Sequence, residues 1–398
     1  MLYFKDKHIV FNSNHCQQCG TCEAICPKQA IKLNRRKNGL MEIIVDDNNC
    51  IRCKKCINVC PSIEQNSTSD YFAEIPFKQY FLGYNKDNTI RHESSSGGVC
   101  KTLILESLQN GYVDGVYSLK KCNEFPQAKG EFYSKDNMPS FDILPNSVYH
   151  SVMLGRNIHK VPKCDRLMIV GTSCQLRAIE KVLKGKYNEL IKVCIFCKQQ
   201  KTLDSTYFLA KAMGTKIPCN TDTLTTRYRG DGWPGIVHIM GAELPYSRAA
   251  QLPFGRRLWS VPGCNVCGDP FGIELNVDIS LMDPWEIRTP NDLGETLITV
   301  HTAKGLELLR NTGSIVLEEK SFKEIEPALG LKDIRRKQQL IPFFRNKQNI
   351  GTRILFAGKA EQIQRKLLQV IVMGLPKMPF IFYRLLCKLP DLRNIILK

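Results

Sequence analysis

Cys16, Cys19, Cys22 and Cys26 precede Pro27, and Cys50, Cys53, Cys56 and Cys60 precede Pro61. Each set is a CxxCxxCxxxCP run, the spacing that wraps a cubane [4Fe-4S] cluster with three thiolates of its own run while the fourth crosses to the neighbouring cluster. The spacing assigns Cys16, Cys19, Cys22 and Cys60 to one cluster and Cys50, Cys53, Cys56 and Cys26 to the other. Zinc modules and disulfide frameworks also use paired CxxC spacings. A zinc site, however, closes with four ligands and has no use for two identical four-Cys runs that each end in proline. Clusters of this kind pass single electrons, so the rest of the chain should hold whatever receives them.

Four further thiols have the placement for that. Cys264 and Cys267 form a CxxC pair inside Pro262–Asp269, while Cys174 and Cys197 each follow an apolar segment. Leu167–Val170 reads as a strand, Gly171–Cys174 as a loop and Gln175–Leu183 as a helix closed by Gly185, and a further strand, Leu190–Phe196, runs straight into Cys197. Cys174 and Cys197 therefore lie beyond the carboxyl ends of strands, where ligands sit in parallel sheets. With Cys264 and Cys267 they make four thiols, enough for a third cluster. Cys194 also stands three residues from Cys197, but residues three apart on a strand point to opposite faces, so it reads as a small buried hydrophobe. Cys100, Cys122, Cys164, Cys219 and Cys387 have no ligand spacing.

The elements that must position these thiols give an α/β class: an α+β ferredoxin module followed by a mixed, mostly parallel α/β domain. In the module, Ala30–Leu33 and Met41–Val45 flank Asn38-Gly39 as a hairpin. A polar linker spans 62–70, and an aromatic-rich strand, Phe77–Tyr84, opens the second domain. Ser96-Gly97-Gly98 then starts a helix at Val99–Asn110, a loop that either presents backbone N–H groups to a phosphate or serves as an ordinary N-cap. Val113–Leu119 reads as a buried strand. Residues 1–70, 75–160, 161–310 and 311–398 are the expected units, the last a basic helical tail broken by Pro376, Pro379 and Pro390. No apolar run in it reaches the ~20 residues of a spanning helix. It is either a helical pair packed on the main domain or a basic amphipathic surface for an anionic membrane.

The formal charge of +18 and the 18 cysteines point to a reducing, cytoplasmic setting, peripheral to a membrane if the tail touches one, and to an acidic partner. Nucleic acid is not expected, because no helix-turn-helix, finger or RNA-binding signature accompanies the charge. No Ser/His/Asp or Cys/His nucleophile arrangement stands out either.

Ser96-Gly97-Gly98, Val113–Val116, Gly171–Gln175, Phe196-Cys197, Arg229–Gly235, Cys264–Asp269, Asp278–Ser280 and Asp283–Trp285 occur in this order. Together they resemble the beta subunit family of coenzyme F420 hydrogenase/dehydrogenase, here fused to an N-terminal two-cluster ferredoxin. The resemblance implies FAD near Ser96, Gly97, Gly98, Gly171 and Thr172, and a cluster on Cys174, Cys197, Cys264 and Cys267. It implies an oxidoreductase that reduces an organic substrate, coenzyme F420 being one candidate, or an electron-transfer subunit docked on a redox partner protein. Ser173 stands where the family usually has Pro, and Glu286 where it usually has Gly. Arg227, Arg229 and Trp233 either bind an anionic or aromatic substrate or brace a loop; Asp269, Asp278 and Asp283 either act as acids or support a cofactor.

Overall fold

The computed structural model describes residues 1–5, 8–63, 79–218, 220–250, 253–375 and 378–397. Most of the expected linker, Phe77, Cys219 and Pro376 lie outside those residues. In the N-terminal module the hairpin forms as expected, Ile31–Arg35 pairing antiparallel with Met41–Val45 around Gly39 at φ 80°. Each Cys run contains a single helical turn, Thr21–Ala24 and Lys55–Asn58, entered through a left-handed residue, Gly20 at φ 79° and Lys54 at φ 62°. The two runs thus share one backbone path. Leu2, Ile9, Ile31, Leu33, Met41 and Ile43 pack around Cys16 and Cys56 as the module's core.

The main domain is one eight-stranded sheet. Its strands are β1 (Gln79–Asn85), β2 (Gly115–Lys121), β3 (Ala128–Ser134), β4 (Cys164–Gly171), β5 (Tyr187–Ile195), β6 (Ile279–Met282), β7 (Thr296–Val300) and β8 (Ile315–Lys320), in spatial order β8-β1-β7-β6-β5-β4-β2-β3. The pairs β6-β5, β5-β4 and β4-β2 are parallel and the outer pairs antiparallel. Five strands, β1, β2, β4, β5 and β6, run the same way, so their carboxyl ends share one edge. Residues 75–160 and 161–310 therefore contribute to a single sheet, and β8 comes from beyond residue 310.

Helices cover both faces, which is why the central strands are continuous apolar runs. Helix α1 (Val99–Gln109) packs Val99, Leu103 and Leu108 against Met168, Val170 and Ile191. On the opposite face α2 (Ser173–Leu183) packs Leu176, Ile179 and Leu183 against Leu167, Ile169 and Leu190. The alternation along β4 sends successive side chains to the two layers. Cys194 lies wholly buried in the second layer, as its parity on β5 predicts.

A smaller antiparallel sheet, Thr226–Tyr228, Ile236–Ile239 and Ala242–Pro245, packs with α3 (Asp204–Met213). The tail docks there: α6 (Thr352–Gly374) and α7 (Phe380–Lys388) bury Leu368, Val372 and Tyr383 against Phe208 and Trp259. Helix α4 (Ala303–Arg310) follows β7 and packs Leu308 and Leu309 into the layer of α1, while α5 (Leu331–Gln339) packs Leu331 and Ile334 with Phe271 and Met282. Helix α8 (Leu392–Ile396) closes the chain. Among the described residues no helix is long and apolar enough to cross a membrane.

Candidate redox site

The module brings its eight thiols together in two quartets. Cys19 and Cys22 feel the charges of Cys16 and Cys60, while Cys56 feels those of Cys26, Cys50 and Cys53. The fourth Cys of each run thus crosses to the other quartet. Cys16, Cys19, Cys22 and Cys60 wall a cavity whose other lining residues are mostly apolar, among them Leu2, Leu33, Met41, Ile43, Val59 and Met153, with Gln17, Gln18, Thr21 and Cys56 beside them. Backbone and amide N–H groups point at sulfur: Ala30 N donates to Cys26 Sγ at 3.3 Å and Gln18 Nε2 to Cys16 Sγ at 3.4 Å. Among the described residues no three His, Cys, Asp or Glu side chains converge as ligands of a single metal ion. A cubane asks for something else, one thiolate at each of four irons around a volume.

Cys174, Cys197, Cys264 and Cys267 also meet, each within electrostatic reach of the others. Cys174 is held by the capping box at the start of α2, where Thr172 and Gln175 satisfy one another's backbone and Thr172 Oγ1 lies 3.4 Å from Cys174 Sγ. Cys197 leaves the end of β5 with its N–H on Pro270 O at 3.2 Å, and Gln200 N donates to Cys264 Sγ at 3.2 Å. Burial pushes the thiols of Cys174, Cys197 and Cys264 up, Cys197 to about 12. A bound cation would reverse that preference and hold them as thiolates.

Contacts order the quartets. A Cβ on Gly263 would stand 2.1 Å from Cys16 O and 2.3 Å from Cys16 C, so the Cys264 loop lies against the backbone of the inner module quartet. Gly155 N donates to Cys19 O at 2.9 Å, and a Cβ on Gly155 would stand 2.1 Å from Thr21 Oγ1. Arg345, whose Nη2 donates to Ser62 O at 2.9 Å, feels both Cys60 and Cys267. The quartet of Cys26, Cys50, Cys53 and Cys56 is outermost, with Cys53 exposed. Sequence spacing contains no trace of Gly263, Gly155 or Arg345, since each acts across more than a hundred residues.

The other predicted residues divide. Ser96-Gly97-Gly98 and Gly171-Thr172 leave the same edge from strands four positions apart, about 19 Å along it. Ser96 Oγ donates to Glu295 O, and a Cβ on Gly97 would meet Gly83 O at 2.7 Å, so this loop is pinned to β1 and β7. Arg229 is fully buried and binds Asp283 through both terminal nitrogens at 3.0 Å and Ser95 O at 2.6 Å. Its guanidinium lies 4.6 Å from the Tyr246 ring centre and 5.5 Å from that of Trp285. That geometry braces the edge loops. Arg227 pairs with Asp231, and Trp233 is buried against Trp285, ring centres 4.6 Å apart. Asp269, wholly buried, accepts from Ser173 Oγ at 3.2 Å and Ile273 N at 2.9 Å, tying the loop after Cys267 to α2. Asp278 lies at the opposite end of β6, where it accepts from Lys192 N at 2.7 Å and Thr302 Oγ1 at 2.6 Å.

A 4Fe-4S dicluster domain model matches residues 15–63, and a second matches 42–94. Models of the coenzyme F420 hydrogenase/dehydrogenase beta subunit match 80–134 with the N-terminal part and 164–324 with the C-terminal part. No curated protein matches. The chain is similar in structure to a chain of the F420-reducing [NiFe] hydrogenase complex from Methanosarcina barkeri, at 18% identity and TM-score 0.47 over 66% of this chain and 89% of that one. Two dicluster matches ahead of both halves of one subunit model, in the order the thiols require, place this chain in the coenzyme F420 hydrogenase/dehydrogenase beta subunit family, with a 4Fe-4S dicluster domain at its N-terminal side.

Proposed function

We propose that the chain is an iron-sulfur flavoprotein oxidoreductase in which Cys16, Cys19, Cys22 and Cys60, then Cys26, Cys50, Cys53 and Cys56, and finally Cys174, Cys197, Cys264 and Cys267 each hold one [4Fe-4S] cluster. FAD is assigned to the carboxyl edge of the main sheet, between the Ser96-Gly97-Gly98 and Gly171-Thr172 loops, and the electron acceptor is an organic substrate, with coenzyme F420 one candidate. Clusters move one electron at a time, whereas a flavin collects two and delivers a hydride. The chain's own residues supply spacing and burial: Gly263 lets the third quartet approach Cys16, and Asp269 and Thr172 hold its ligands. The observation that carries the reading is this contact between the inner module quartet and the third one.

Iron, acid-labile sulfide and flavin in anaerobically purified protein test it. The reading requires about 12 iron and one FAD, falling to about 8 iron when Cys264 and Cys267 become Ser. About 8 iron in both proteins with no flavin would overturn it and favour an electron-transfer subunit docked on a hydrogenase or dehydrogenase.

A second observation supports contact with an anionic membrane. Phe356, Ile363, Leu367 and Val370 form one exposed stripe of α6, and Ile381, Leu385 and Ile395 continue the apolar surface on α7 and α8. Arg353, Lys359, Lys366, Arg384 and Lys388 are exposed among them, while Glu361 is buried and Asp391 pairs with Arg393. Apolar groups ringed by cations alone suit the boundary of an anionic bilayer. Flotation with phosphatidylglycerol vesicles tests this: binding lost in Leu367→Glu/Val370→Glu supports it, and equal flotation of both proteins refutes it.

A further inference from the structure

Beside the third quartet lies a cavity of about 170 Å³, lined by Lys198, Arg257, Lys337 and Arg393 with Asp333 the one carboxylate among its lining residues. Asp333 is engaged by Arg393 at 2.7 Å, and Arg393 also meets Asp391 at 3.0 Å. Lys337 donates to a carbonyl, Lys198 O, at 2.8 Å. Arg257 reaches Asn265 Oδ1 at 3.2 Å, and its nearest carboxylate, Glu361 at 3.5 Å, is shared with Arg365 and Arg393. Lys198, Lys337 and Arg257 therefore face one cavity with no carboxylate of their own.

Cations gathered in a largely buried space repel one another and lose hydration, a cost relieved by an anion. The third cluster would answer part of it, because Lys337 feels Cys267, Cys264 and Cys197, and Arg257 feels Cys264. Lys198 lines the same cavity, and the largest charges it feels are those of Asp333, Lys337, Arg257 and Glu286.

Resting on the redox reading above, we infer that this cavity binds a phosphate group, carried either by the flavin's diphosphate or by the substrate. Two Lys and an Arg facing one cavity suit a compact, multiply charged oxyanion. Lys198, which lines the cavity, is the residue after Cys197, so a ligand anchored there stands next to the third quartet. Asp333, Lys337 and Arg393 lie beyond residue 324, where the subunit match ends. The tail thus builds half of a site whose other half is family core.

Calorimetric titration of the cluster-loaded protein with pyrophosphate tests this, comparing wild type with Lys198→Gln and Arg393→Gln, and with succinate as the carboxylate control. The inference expects saturable pyrophosphate binding weakened at least tenfold in Lys198→Gln, with iron content and cluster absorbance unchanged. Binding only to flavin-depleted protein identifies the flavin's diphosphate as occupant; binding to flavin-loaded protein as well identifies the substrate. No saturable binding in either form, equal affinity in wild type and both variants, or preference for succinate overturns it. Iron and flavin counts on the same samples report separately on the redox reading.

Discussion

Gly263→Ala isolates the joint between the module and the main domain. The added Cβ would lie 2.1 Å from Cys16 O, 2.3 Å from Cys16 C and 2.8 Å from Gln17 N, all backbone atoms that cannot swing aside. Ordinary contact needs about 3.5 Å, so one of the two segments must retreat by about 1 Å or more. Overpacking of this kind costs about 1–3 kcal/mol. At about 2–4 °C per kcal/mol in larger domains, the melting temperature should fall by about 2–12 °C. No thiol is removed, so iron should stay at about 12. On the proposed function, reduction of the flavin by dithionite-reduced module, followed by anaerobic stopped-flow absorbance, should slow because the gap between the two quartets has widened. Gly313→Ala is the control, since a Cβ there meets nothing within 4 Å. If Gly263→Ala melts and transfers electrons as Gly313→Ala does, the contact is not the joint and the proposed order of quartets fails.

Other perturbations separate bracing from binding. Arg229→Lys loses the two-nitrogen grip on Asp283 in a buried setting, which should cost about 3–5 kcal/mol in a denaturant titration; native stability with a raised KM would instead assign Arg229 to substrate. Burial lowers His150 to about 4 from an ordinary 6.5, and the ring is held by Lys201 O at 3.2 Å and Thr206 Oγ1 at 2.7 Å. Its folded pKa lies below its unfolded one, so the unfolded chain binds more protons below pH 6.5. Stability is lost as pH falls from 6.5 toward 4, by about 1.4 kcal/mol per unit from this group. His150→Gln should flatten the pH slope of the denaturation midpoint between 6.5 and 5.5, and an unchanged slope refutes the assignment. Asp269→Asn removes the carboxylate that accepts from Ser173 and Ile273 and should release iron from the third site faster under a chelator; release at the wild-type rate would deny it a positioning role.

What could be read in the sequence follows the range of each interaction. The module thiols were legible because a cubane takes three ligands from one short run, and the crossing fourth follows from the repeat. Cys174 and Cys197 were legible as strand-end residues because Leu167–Val170 gives way to Gly171-Thr172 and Leu190–Phe196 runs straight into Cys197. The inward turn of Arg229 was not, since a bidentate pair with Asp283 spans 54 residues and leaves no local pattern. Strand β8 was missed for a different reason. Its Ile315–Lys320 is an edge strand with mostly half-exposed side chains, so it lacks the apolar run that marks β4. The same limit hid Lys337 and Arg393, which read as solvated helix charges until the tail folds back on the third quartet.

The edge itself explains why so much converges there. Five strands point the same way, so the segments after β1, β4, β5 and β6 emerge side by side, carrying Ser96–Gly98, Thr172–Cys174, Cys197 and Asp283. Each is then fixed by a partner from elsewhere: Thr296 for the first, Asp269 for the second, Pro270 for the third and Arg229 for the fourth. The module presses its inner quartet against the Cys264 loop of that same assembly. A change at Asp269, which holds the segment carrying Cys174, should therefore alter the third quartet before it alters the sheet, because the strands are held by two apolar layers to which Asp269 does not belong.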